Sequence, residues 1–253
     1  MEHGARIDAA ERELGALHQA VIGGDPTVPV PTCPGWTVAD LAAHVGELLG
    51  FWCHVLCEAS GRPKPDAGPP PATRSGTSGN GAEELGTWLA GIGGALVEEL
   101  RRTEAGTPAW TWYDDDQTAG FIACRVTCEL AIHRYDAQSA RGTCGPVAPE
   151  VAVDAIDEVL GPLVTGRPRT GRPAGETLHL HGTDPGADGS AEWLVTLHPD
   201  RIDVARTHAK GDLALRGPVS DLALLLYRRP ALGEVQRFGD DAVLDLWYGE
   251  FVF

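Results

Sequence analysis

The sequence predicts an α+β protein, in which an N-terminal up-down four-helix bundle is followed by a small α/β sandwich domain. Two observations support this prediction. Apolar residues recur at helical spacing through the first two-thirds of the chain, whereas short runs that alternate apolar and polar residues dominate after Gly166. A segment rich in Gly, Pro and Arg separates the two patterns at residues 166–176. We therefore expect one domain over residues 1–165 and a second over residues 166–253.

The first domain is predicted to contain four long helices. Gly23 follows the first apolar stripe and ends it, while Thr37 is a suitable N-cap for the second helix. A shorter helix is expected over residues 150–164. The four long helices are expected over residues 5–22, 38–58, 82–102 and 118–140.

A long connection separates the second helix from the third. Residues 59–80 are rich in Pro, Gly and Ser and have no apolar period. A loop of this length in a compact domain is typical of a functional cover or of a variable surface segment, and both interpretations stay open.

The second domain is predicted to contain short strands and one helix. Residues 217–229 have the spacing of a helix, and residues 242–253 are expected to form a closing strand. The remaining alternating runs predict strands over residues 176–184, 192–199, 201–206 and 212–217.

Charge and composition exclude several classes of partner. The 253 residues carry a formal net charge of −16 and a pI of about 4.8. Nucleic acids and anionic membranes attract basic surfaces, so neither is an expected partner. The N-terminus lacks an apolar signal core and no apolar run could span a bilayer, which predicts a cytoplasmic protein with reduced cysteines. A monomer and a homodimer are both compatible with the sequence.

The fourth predicted helix carries a potential metal half-site. Glu129 and His133 are four residues apart and therefore lie on one helix face. His44 lies on the apolar stripe of the second helix and is a candidate third ligand. Two imidazoles and one carboxylate with open positions are typical of catalytic zinc. The alternatives are a hydrogen-bonded core histidine and a solvated Glu–His ion pair.

Other potential ligands have weaker support. Cys53 and Cys57 lie roughly opposite His44, and Cys124 and Cys128 lie off the Glu129 face, so all four are expected to be small buried side chains. His179 and His181 share one strand face and could form a second metal pair, but a solvent-facing strand surface is the expected environment. His198 and His208 have no evident partner. Phosphate-loop, nucleophile-elbow and dinucleotide motifs are absent from the sequence.

Three segments resemble a known family. They are TCPGWTVADLAAHVGEL, TAGFIACRVTCELAIHRYDAQ and DAIDEVL, and the C-terminal part from LHLHGTD to RFGD extends the resemblance over nearly the whole chain. Together they resemble the mycothiol-dependent maleylpyruvate isomerase family. The resemblance implies a DinB-like metal-binding bundle with a smaller α/β domain, the metal ligands His44, Glu129 and His133, zinc, and mycothiol as the cofactor thiol.

The sequence departs from the family pattern next to these ligands. Cys124, followed by Arg125, stands where the pattern has a basic pair, and Cys128 stands where it has a histidine. Groups that surround a metal's ligands tune its chemistry, so these departures concern the substrate rather than the metal. The resemblance also implies a catalytic arginine, for which Arg74 and Arg125 are the candidates.

These observations favour a zinc-dependent enzyme that uses mycothiol. In this hypothesis a metal-activated thiolate adds to an electrophilic small molecule, and the enzyme is an S-transferase or an isomerase. The alternatives are a maleylpyruvate isomerase proper, a non-catalytic metal-binding or regulatory bundle, and a cyclase or hydrolase on the same fold.

Overall fold

The computed structural model describes residues 1–63, 68, 80–165, 172–184 and 191–251. The chain divides into two compact units, Met1–Gly145 and Pro146–Phe253. Arg74 and most of the Pro-rich connection lie outside the described residues. The helices are α1 (His3–Ile22), α2 (Val38–Ala59), α3 (Asn80–Arg102), α4 (Ala119–Ser139), α5 (Pro149–Leu160), α6 (Val219–Leu226) and α7 (Ala242–Glu250). The strands are β1 (Glu176–Gly182), β2 (Glu192–Leu197), β3 (Ile202–Ala205), β4 (Leu213–Gly217) and β5 (Gln236–Gly239).

The first unit is the predicted four-helix bundle. Helix α1 packs against α3 and α4, and α2 packs against the same two helices. The predicted apolar stripes meet in one core, whose fully buried members include Leu17, Leu41, Leu89, Leu96 and Ile122. Burial of these side chains favours the bundle because each removes apolar surface from water.

Helices α2 and α4 begin in the same way. An isolated antiparallel bridge precedes each helix, between Pro29 and Thr37 for α2 and between Pro108 and Thr118 for α4. The threonine side chain at the end of each bridge then caps the helix by accepting a backbone N–H. These caps fix where both helices start, and thus which side chains face the core.

The second unit contains one mixed five-stranded sheet in the order β3-β2-β1-β4-β5. Strands β1 and β4 are parallel, and the other neighbouring pairs are antiparallel. Leu178 and Leu180 of β1 are level with Val195 and Trp193 of β2, so these buried side chains share one face of the sheet. Helices α6 and α7 both pack against β1. The α+β class and the predicted order of a bundle before a small α/β domain are confirmed.

Three details of the second unit differ from the sequence prediction. The closing segment is helix α7 because Val243, Leu244 and Trp247 are spaced for one helix face, and that face is buried. Strand β5 was not predicted, and its four residues are all exposed. Helix α5 packs against α6, so the boundary between the units precedes this helix instead of following residue 165.

Candidate metal centre

The structure brings His44 of α2 together with Glu129 and His133 of α4. Each residue offers a ligand atom, and the three atoms lie within 4.8 Å of one another. The two imidazole rings meet edge to face, with their centroids 5.3 Å apart and their planes at 83°. Helical periodicity predicted the faces on which these side chains lie, and the packing of α2 and α4 brings the faces together.

Glu129 presents its two oxygens to different partners. Oε2 lies 3.4 Å from Nε2 of His133, whereas Oε1 forms an ion pair with the guanidinium of Arg125. Two ligands at about 2.0–2.2 Å from a tetrahedral zinc ion would be separated by about 3.3–3.6 Å. The spacing of Oε2 and Nε2 therefore fits one edge of a metal coordination sphere, and Arg125 holds the second carboxylate oxygen.

The electrostatics of the cluster favour the ligand forms of its side chains. Burial, followed by the neighbouring His133 ring, lowers the pKa of His44, which favours the neutral imidazole. Burial by itself would raise the pKa of Glu129, but the Arg125 guanidinium and the adjacent imidazoles outweigh it and lower the pKa. Metal ions bind neutral imidazoles and ionised carboxylates, so these shifts prepare both groups for coordination.

Sequence reasoning missed a second layer of residues behind the cluster. Nδ1 of His133 lies 3.0 Å from Oδ2 of Asp136, which is fully buried. The Cys33 thiol donates to the same oxygen over 3.4 Å. A carboxylate at one imidazole nitrogen orients the other nitrogen toward a metal. The signal was present in the sequence, because Asp136 follows His133 by three residues on one helix.

Trp36 and Trp112 lie next to the cluster. The Trp36 ring is 4.9 Å from the His44 ring between centroids. The Arg125 guanidinium lies 5.8 Å from the centroid of Trp112. Further aromatic contacts join Trp112 to Trp52 and Phe121. Of the two predicted catalytic arginines, Arg125 thus lies against the carboxylate of Glu129, and Arg74 is outside the described residues.

A cavity of about 770 Å³ lies elsewhere on the bundle. Phe51, Val55, Trp110 and Gln117 are among its lining residues, whereas His44, Glu129 and His133 are not. His54 and Glu58 also line the cavity, but neither belongs to a group of three or more potential metal ligands among the described residues.

The cysteines largely follow the prediction. Cys53, Cys57 and Cys128 are buried, Cys124 is half-buried, and none of the four is part of a disulfide. None of these four belongs to the groups of potential metal ligands among the described residues. Cys33 is the exception among the cysteines, because it lies with His133 and Asp136 in such a group.

Comparison with known families identifies the chain's relatives. A model of the mycothiol maleylpyruvate isomerase N-terminal domain matches residues 7–138. The chain belongs to this family. A model of the family's C-terminal domain matches residues 150–246, so both domains that the sequence resemblance implied are present. No curated protein sequence matches the chain significantly.

Solved structures of the family share the fold. One is the crystal structure of the mycothiol-dependent maleylpyruvate isomerase, with a TM-score of 0.61, 16% identity, and coverage of 94% of this chain and 93% of that chain. A histidine-to-alanine mutant of the mycothiol-dependent maleylpyruvate isomerase gives a TM-score of 0.60 at 14% identity, with the same coverage. At this identity the likeness concerns the fold alone. None of the helices in the described part of the chain combines the length and the hydropathy that a membrane span requires.

Proposed function

We propose that this protein is a metal-dependent enzyme that uses mycothiol to modify an electrophilic small molecule. The observation that carries the proposal is the convergence of His44, Glu129 and His133, whose ligand atoms lie within 4.8 Å of one another. Mycothiol is the thiol that the family's description names. Two imidazoles and one carboxylate are a ligand set typical of catalytic zinc. Zinc is the metal we expect.

These three residues would hold the metal and leave at least one coordination position open. A zinc ion bound there would lower the pKa of a thiol at the open position, so that the thiol loses its proton at neutral pH. The rest of the reaction depends on the positions of the ligands and of the side chains that contact them. Three ligands from the protein match a catalytic centre better than a closed structural one.

The surrounding side chains keep the ligands in position. Arg125 pairs with Oε1 of Glu129 and leaves Oε2 directed toward His133. Asp136 accepts from Nδ1 of His133, which leaves Nε2 for the metal. We assign Arg125 a positioning role on this geometry, while a direct contact between Arg125 or Arg74 and a carboxylate substrate stays a prediction.

Two outcomes of the reaction are compatible with one site. The thiolate sulfur forms a bond to an electrophilic carbon of a carbon–carbon double bond, and the electron pair of that double bond moves into the conjugated carbonyl group to give an enolate. If a proton then reaches the substrate and the thioether persists, the result is thiol transfer. If the adduct rotates about the former double bond and expels the thiolate, the result is cis–trans isomerisation. We favour the hypothesis of an S-transferase, because Cys124 and Cys128 depart from the sequence pattern of the isomerase. Maleylpyruvate isomerisation is the alternative.

The test supplies zinc-loaded protein with mycothiol and a panel of electrophiles that includes maleylpyruvate. Mass spectrometry detects a thioether, and chromatography detects an isomerised product. We expect product with wild type and its loss in His44→Ala, while His54→Ala, a change on the same helix, retains activity. A zinc-loaded protein that gives no product across the panel would overturn the proposal in favour of a non-catalytic binding module.

A further inference from the structure

One side of the sheet in the second unit carries an unexpected polar cluster. His179 and His181 alternate with the buried leucines of β1 and therefore lie on the opposite face. A solvent-facing surface was expected for both, but only 4% of His179 is exposed. Across from them on β2, Glu192 is level with His181 in the strand register and is also buried. The prediction of a simple solvated surface is thus wrong for this part of the strand.

A third histidine completes the cluster. His208 lies in the segment that connects β3 to β4, and it was predicted to have no partner. Its Nδ1 atom lies 3.0 and 2.9 Å from the two oxygens of Glu192. The same carboxylate lies 2.6 Å from Nε2 of His179 and 2.7 Å from Nδ1 of His181. One buried carboxylate therefore faces three imidazoles from two separate segments.

The imidazoles surround a common point as well as a common carboxylate. Their ring centroids are 6.1, 5.2 and 5.7 Å apart, and the rings are steeply inclined to one another. One ligand atom from each of the four residues lies within 4.8 Å of the others. The contacts of Glu192 with the imidazoles, at 2.6 to 3.0 Å, are hydrogen-bond distances. A bound metal ion would replace these hydrogen bonds, because two ligands of one tetrahedral zinc ion lie about 3.3–3.6 Å apart.

We propose that His179, His181, Glu192 and His208 form a second metal site, which binds a divalent transition-metal ion such as zinc. Imidazole nitrogens and a carboxylate oxygen suit zinc, copper and nickel better than calcium or magnesium. The site shares no residue with the candidate centre on α2 and α4 and does not depend on the proposed function. Four protein ligands match a closed, structural site.

The electrostatics agree with this geometry. Burial by itself would raise the pKa of Glu192, but hydrogen bonds from His179 and His208 and the charge of His181 outweigh it and lower the pKa.

The site has a clear structural role within the second unit. Glu192 and the two β1 histidines belong to neighbouring strands, whereas His208 belongs to an irregular connection. A bound metal would fasten this connection onto the sheet next to the edge formed by β2 and β3. Because the metal would bind the folded unit and not the unfolded chain, it would stabilise the fold.

Metal stoichiometry tests the proposal on the full chain with zinc alone as the probe. His208→Ala should bind one equivalent of zinc fewer than wild type when a competing chelator is present. Loss of an outer-shell partner lowers metal affinity by about 10–100-fold, so loss of a direct ligand should lower it by at least about 100-fold. His198→Ala is the matched control, because His198 pairs with Asp203 and lies outside the cluster. Equal zinc content in wild type, His208→Ala and His198→Ala would overturn the proposal.

A second measurement separates loss of the site from loss of the fold. His208 is 75% exposed in its side chain, so its removal should leave circular dichroism unchanged. Zinc should raise the melting temperature of His44→Ala/His133→Ala, in which only the second site remains, and should not raise it when His208→Ala is added. The same zinc-induced rise in both proteins would show that the cluster binds no metal. Failure of the proposed enzyme activity would leave these results unaffected.

Discussion

Nδ1 of His133 lies 3.0 Å from Oδ2 of Asp136, one helical turn further along α4. The contact fixes which imidazole nitrogen faces Glu129 and His44. It also gives the fully buried carboxylate of Asp136 a hydrogen-bond partner, which a buried charge requires.

Asp136→Asn should weaken metal binding without removing a ligand. The amide oxygen can still accept a hydrogen bond from Nδ1, but it lacks the negative charge that orients the imidazole and makes it a stronger ligand. We therefore expect zinc affinity at the first centre to fall by about 10–100-fold. Competition with a chromophoric chelator measures this change. Asp203→Asn is the matched control, because Asp203 also lies against a histidine, His198, at 2.9 Å. Equal zinc affinity in both variants would contradict the assigned role of Asp136.

Each proposed ligand can be tested by substitution. His44→Ala, Glu129→Gln and His133→Ala should each lose one equivalent of zinc, as measured by elemental analysis of the purified protein. His54→Ala removes a histidine from α2 that pairs with the exposed Glu58, and should keep the full zinc content. A substituted residue whose loss leaves the zinc content unchanged is not a ligand.

The Arg125–Glu129 pair should matter most when the metal is absent. Both side chains are 11% exposed, and Arg125→Met leaves the carboxylate buried without this partner. Breaking a buried ion pair costs about 3–5 kcal/mol, so the free energy of unfolding of the metal-free protein should fall by that order. Added zinc should restore part of the loss because it supplies positive charge to the same carboxylate.

Arg102→Met provides the comparison for Arg125→Met. Arg102 and Glu98 form an ion pair of the same spacing on α3, but both side chains are more than half exposed. Such a pair contributes about 0.3–0.5 kcal/mol, so denaturant titration should show a small change. Similar losses for the two variants would contradict the idea that burial makes the Arg125 pair important.

The packing of α2 on α3 depends on a glycine near His44. A Cβ atom at Gly46 would overlap the ring of Trp88, so Gly46→Ala should destabilise the bundle by about 1–3 kcal/mol through overpacking. Gly91 on α3 is exposed and has open space around it, so Gly91→Ala should instead stabilise the protein by about 0.5–1 kcal/mol. Thermal unfolding measures the change in stability of each variant. Changes of the same sign for Gly46→Ala and Gly91→Ala would contradict this packing.

The cap of α2 should depend on pH. Asp40 accepts hydrogen bonds from the hydroxyl and the backbone N–H of Thr37 at 2.6 and 2.8 Å, and these bonds lower its pKa. Because the folded state holds the lower pKa, this stabilisation is present above the unfolded value of about 3.9 and is lost as the pH falls through the folded value. The unfolding free energies of wild type and Asp40→Asn should therefore differ at neutral pH and converge in acid.

The helices and the candidate ligands were largely predictable, because their signals are local. The spacing of Leu41, His44 and Leu48 defines one face of α2, and Glu129 and His133 define one face of α4. Segment 242–253 was misassigned as a strand because a short run rich in apolar residues fits both the helical period and the strand period. Burial of Val243, Leu244 and Trp247 on one helix face resolves it.

Spacing along the chain determined which side chains share a face, because backbone geometry fixes that relation within a helix or strand. This spacing predicted that Glu129 shares a helix face with His133 and that His179 shares a strand face with His181. Only the tertiary structure decided which faces meet. The register of β1 and β2 brings Glu192 level with His181, and an irregular connection carries His208 to the same carboxylate. Such contacts depend on how the whole core packs, and no local period in the sequence encodes them.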